Sequence, residues 1–143
     1  MVVMRSDFDL LEEDESFIKR TCSKYDKIIE GNRNWLILRD YPVPSGYNVS
    51  VVDVAILIPA GYPRSPLDMA YFSPHLSRTD GIPIPKLTTS TSIEGKIYQR
   101  WSRHRKRDVA WRLGVDSLCH HVEEIAYWFQ NEFNKRPRID EAA

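Results

Sequence analysis

Ser102 and His104 stand two residues apart, directly after Trp101, and His121 follows further along the chain. A hydroxyl attacks a carbonyl only when a base takes its proton. An imidazole within hydrogen-bond reach is such a base. Each of the three also has a plain structural reading. Ser102 can be a turn or cap serine behind a core tryptophan. His104 can bind loop backbone, since residues two apart diverge on a strand and converge only in a turn. His121 falls on an apolar helical stripe and can be a core histidine. Cys119 is a rival nucleophile if an exposed helix start stabilises its thiolate, and Cys22 lies away from every candidate motif. Tyr98 reads as a packed aromatic, Asp116 as a helix N-cap and Asp68 as an anchor for the backbone beside it.

Charge narrows the function classes. The 143 residues carry 20 Lys and Arg against 20 Asp and Glu, a formal net charge of zero, which argues against a general polyanion binder. Local asymmetry persists: Asp7–Glu15 is acidic and Arg100–Arg112 basic. Arg100, Arg103, Arg105, Lys106 and Arg107 form the dense basic run. It suits an acidic patch on a protein partner or a solvated rim. A nucleic-acid reading lacks a base-reading fold or a repeated aromatic platform. His104, Cys119, His120 and His121 do not have metal-ligand spacing, and no cofactor is expected. Apolar content of 42% and charged content of 28% fit one soluble domain over residues 1–143. The chain shows no membrane-length apolar run and no apolar signal core. Its two cysteines stand far apart and do not suggest a disulfide scaffold. A cytoplasmic location is the default expectation.

The elements that must position these groups follow from periodicity. Asp14 or Ser16 opens a short helix with Phe17, Ile18 and Cys22 on one side. Tyr25–Glu30 is a first strand, Gly31–Asn34 is turn chemistry, and Trp35–Leu38 is a strand apolar on both sides. Val49–Ile58 is rich in β-branched residues and reads as the clearest strand. Met69–Phe72 is a short fourth strand, Ser73–Ile93 a long irregular stretch of the kind that is often functional, and Gly95–Trp101 too short to classify. Ser117–Phe133 repeats Leu118, His121, Val122, Ile125, Phe129 and Phe133 at helical spacing. Strands joined by short turns argue for an α+β fold: an N-terminal helix, a four-stranded antiparallel sheet, a long irregular active-site region and a C-terminal helix.

The run Gly61–Phe72 makes a rigid, proline-rich corner after the third strand. It joins Trp35-Leu36-Ile37-Leu38, Tyr41-Pro42-x-Pro44-x-Gly46-Tyr47, Val52–Pro59 and Gly61-Tyr62-Pro63-x-x-Pro66-x-Asp68-Met69. Gln99–His104, Trp111, Gly114-x-Asp116-Ser117-Leu118 and His121 follow in order. Together these motifs resemble the bacterial prokaryotic E2 family E of the ubiquitin-conjugating (E2/UBC) superfamily, whose genes sit beside ubiquitin-like, E1-like and JAB-peptidase genes.

The resemblance implies an E2 fold and a carrier of a ubiquitin-like protein. An E1-like enzyme would charge it with ATP, and a target protein amine would receive the modifier. Gene context in the family implies cellular, antiviral defence. General E2 enzymes have a His-Pro-Asn turn and then Gly-x-Ile-Cys. This chain lacks the first and has Gly95-Lys96-Ile97-Tyr98 for the second. With tyrosine where cysteine would fall, Ser102 is the replacement candidate. It would form an oxyester, with His104 or His121 moving the proton. The alternative is an inactive E2-variant adaptor that binds modifier or E1 without covalent chemistry.

Overall fold

The computed structural model describes residues 5–101, 111–112 and 116–138. Helix α1 spans Glu12–Thr21, and strands β1 Tyr25–Glu30, β2 Arg33–Pro42, β3 Val51–Ile58 and β4 Ala70–Ser73 follow. Next come β5 Leu87–Ile93, β6 Lys96–Trp101 and helix α2 Leu118–Lys135. All strand pairings are antiparallel, and the spatial order is β1-β2-β3-β4-β6-β5.

The α+β class stands, but among the described residues the sheet has six strands where four were expected. The two additional strands arise from the stretch expected to be irregular and the segment too short to classify. Leu87–Ile93 is mostly Ser and Thr and shows no apolar alternation, so its strand character comes from pairing with β6. Glu94 and Gly95, both at positive φ, make the two-residue turn between them.

Alternation along the strands gives the sheet two apolar faces. Leu36, Leu38, Val54, Ile56 and Phe72 meet Ile18 of α1 and Ile125 and Phe129 of α2 in the main core. Trp35, Ile37, Ala55 and Tyr71 form a second cluster on the reverse face, closed by Ile93 and Tyr98 of the β5–β6 hairpin. Arg39 fastens that hairpin, bonding Asp26 at 2.9 Å, Asp53 at 3.0 Å and Glu94 beside the turn at 2.8 Å.

The first helix begins two residues before the earlier candidate cap, so Asp14 lies inside it and is buried. Asp116 does not cap α2 either. Ser117 holds the N-cap position, while the Asp116 carboxylate accepts the backbone N–H of Arg112 at 2.6 Å. Among the described residues no helix is long and apolar enough to cross a membrane.

Candidate functional site

The proline-rich corner frames the site. It starts at Gly61, where an added Cβ would come within 2.4 Å of Ser65 Oγ and force that hydroxyl to turn away. The Tyr62 hydroxyl donates to Asp14 Oδ2 of α1 at 2.6 Å and accepts the Leu118 N–H of α2 at 2.9 Å. One phenol thus ties the corner to both helices and serves the first free N–H of α2. Burial, first of all, pushes the Asp14 carboxyl above its ordinary value, and the charge of Glu13 adds to the rise while the Tyr62 hydrogen bond restrains it. The Tyr62 hydroxyl is likewise pushed up, by burial and then by Asp14.

The segment that carries Ser102 and His104 is held at one end by the sheet and at the other by the corner. At one end Trp101 is fully buried and lies opposite Ala70. Its ring packs on Phe72 and Phe129, each at 5.9 Å, and on Trp128 at 6.1 Å. At the other end the Trp111 indole donates to the Pro63 carbonyl at 2.8 Å, with its ring 6.2 Å from that of Tyr62. Ser102 and His104 themselves lie outside the described residues, as do Arg103, Arg105, Lys106 and Arg107. Arg100, on β6, is partly exposed and faces Tyr71 and Thr88 across the ladder.

His121 lies behind the Trp101 wall. It is 1% exposed; Nε2 donates to the Met69 carbonyl at 2.8 Å and the ring stands edge-on to Trp128 at 5.9 Å. Nδ1 is 4.0 Å from Glu124 Oε2. The imidazole therefore joins the entry of β4 to α2 and supports the tryptophan that packs on Trp101.

The model of prokaryotic E2 family E matches residues 10–132, from just before α1 into the last turns of α2. The chain belongs to prokaryotic E2 family E. No curated protein and no solved structure matches it.

Within this E2-like chain, Gly95-Lys96-Ile97-Tyr98 is the turn and outgoing strand of a hairpin. Tyr98 is fully buried in the reverse-face cluster. Burial, then the carboxylates of Asp53 and Glu94, outweigh the influence of Arg39 and push its hydroxyl up to about 12. It is a protonated packing residue at neutral pH.

Neither thiol is activated. Cys22 is raised by burial. Cys119 is raised by burial and by Glu123, whose Oε1 lies 3.5 Å from Sγ. Raised thiols hold little thiolate at neutral pH. No group of three or more metal-ligating side chains occurs among the described residues.

Sequence reasoning singled out the corner without finding the Asp14–Tyr62–Leu118 link. No distinct sequence signal marked it, because Asp14 is one of four consecutive acidic residues at the start of α1. The role of Trp111 was also missed, although its spacing from Trp101 brackets the basic run.

Proposed function

We propose that this chain is an E2-like acyl carrier that holds a ubiquitin-like modifier as an oxyester on Ser102. The observation that carries the reading is the paired anchorage at Trp101 and Trp111. Trp101 immediately precedes Ser102 and is fixed in the sheet against β4, and Trp111 is fixed to the proline-rich corner that leads into the same strand. A nucleophile presented to a second macromolecule needs a fixed base, and reactive groups sit well on loops held by a rigid scaffold. Burial raises the thiols of Cys22 and Cys119, so neither is set apart as an activated nucleophile.

In this reading the Ser102 oxygen attacks the activated C-terminal carbonyl of the modifier on an E1-like enzyme. The new C–O bond forms as the acyl bond to that enzyme breaks. The serine proton passes to an imidazole and then to the leaving group. An amine of a target protein later attacks the ester, the C–O bond breaks and the proton returns to the serine oxygen. His104 is the base in this scheme, because His121 is enclosed and its Nε2 is engaged with Met69. His121 acts as a positioning residue through Trp128. The basic residues after Arg100 form the encounter surface for acidic partners, and a bacterial defence setting and a cytoplasmic location belong to the same proposal.

The burial of Tyr98, where a general E2 has its cysteine, favours a second reading: an adaptor that binds modifier or E1 without an acyl bond. Incubation with the cognate E1-like enzyme, modifier and ATP separates the two. The carrier reading expects an adduct that hydroxylamine cleaves, mild thiol leaves intact and Ser102→Ala abolishes. Binding without an adduct establishes the adaptor. An adduct that survives Ser102→Ala and disappears in Cys119→Ala moves the chemistry to the thiol.

A further inference from the structure

The two edges of the sheet are treated differently by the chain. At the β1 edge the segment Arg5–Asp7 lies alongside: Lys27 donates to the Arg5 carbonyl, Asp7 donates to the Lys27 carbonyl, both at 2.8 Å, and the Ile29 N–H reaches the Asp7 carboxylate at 3.0 Å. At the other edge, among the described residues, β5 pairs with β6 alone. Natural edges are guarded by lysine, proline or inward charge, yet Leu87-Thr88-Thr89-Ser90-Thr91-Ser92-Ile93 contains none of these.

The register tells which backbone groups point outward. A two-residue turn makes Ile93 and Lys96 a hydrogen-bonded pair, and such pairs alternate along an antiparallel ladder. Ser92 therefore faces outward. Beyond the register shift between Thr89 and Thr91, Gln99 and Trp101 turn toward β4, so Arg100 bonds Thr88 and leaves Leu87 and Thr89 outward.

We infer that the outer edge of β5 binds the extended C-terminal tail of the modifier as an additional strand. The inference rests on the acyl-carrier reading. The group delivered to Ser102 is a chain terminus, and a terminus that reaches into another protein arrives as an extended segment with its own unpaired N–H and C=O groups. Strand addition satisfies both partners at once. Polarity supports that occupant. A segment added antiparallel to β5 runs in the direction of β6, so its carboxyl end emerges beside Leu87, which pairs with Trp101, the residue before Ser102. It lies two strand spacings, about 10 Å, from β6, a gap that about three extended residues cross. Lys86 directly precedes Leu87 at the same end.

Amide hydrogen exchange of the Ser102→Ala protein with the cognate modifier tests the docking without the chemistry. Protection is expected across Leu87–Ile93, and a modifier lacking its last ten residues should give none. Thr89→Pro and Ser92→Pro each remove an outward N–H while sparing the β6 ladder, so each should weaken binding at least tenfold. Thr89→Ala and Ser92→Ala should bind normally, because the backbone is what is read. Protection confined elsewhere, or unchanged binding in folded proline variants, overturns the proposal. So does protection that grows with protein concentration without modifier, which would identify a second copy as the occupant. Protection with no Ser102 adduct in the parent protein retains the docking and removes the oxyester. Normal charging of the proline variants does the reverse.

Discussion

Asp14 and Glu132 are both buried carboxylates, 2% and 0% exposed, and their surroundings drive them in opposite directions. Glu132, on α2, sits between two guanidinium groups: Arg78 at 3.1 Å, itself enclosed and paired with Asp80 at 2.6 Å, and Arg136 at 2.5 Å. Burial alone would raise it, but the hydrogen bonds and charges of Arg136 and Arg78 together outweigh burial and hold it below the usual carboxylate range. Asp14 has a phenol where Glu132 has cations, and it is raised. The first arrangement closes the far end of the molecule for stability. The second sits under the proline-rich corner, where burial outweighs the Tyr62 hydrogen bond.

The largest break in this contrast comes at the well-paired end. Glu132→Gln leaves the enclosed Arg78 short of charge and should cost roughly 3–5 kcal/mol, read as a large fall in the urea midpoint at pH 7. Tyr62→Phe deprives Asp14 of its donor and the Leu118 N–H of its acceptor. It should cost about 1–3 kcal/mol in the same measurement and loosen amide protection at the start of α2. The smallest effect sharpens the comparison through its sign. The folded value of Asp14 exceeds its unfolded 3.8, so stability rises as pH falls from that folded value toward 3.8. Glu132 does the opposite: its contribution is full above the unfolded 4.5 and is lost as pH falls through the lower folded value. Asp14→Asn should therefore compare best with the parent at pH 7 and lose ground at pH 4. Glu132→Gln should compare worst at pH 7 and recover in acid. Parallel pH trends in the two variants would refute the assignment.

Most of the fold was legible because β1 to β4 and α2 have periodic apolar patterns that match their burial. Tyr25–Glu30 reads the same in sequence and structure, and α2 differs by one or two residues at its ends. β5 was not legible, because a run of hydroxyl residues becomes a strand only through a partner distant in pattern. The two caps failed for a related reason. Asp14 and Asp116 have the right side chain for a helix start, but other partners, the distant Tyr62 in one case and the nearby Arg112 backbone in the other, claim them first. At the candidate site, Ser102 and His104 lie outside the described residues, and sequence left His121 open between a base and a core histidine where the structure encloses it. That depends on Met69 and Trp128 arriving from elements far apart along the chain.

The covered edge beside β1 carries one more consequence. Growth of a fibre by sheet extension requires every subunit to offer two open sides, one for each neighbour. Among the described residues this sheet offers one, so copies that joined through it would meet edge to edge and stop as a pair.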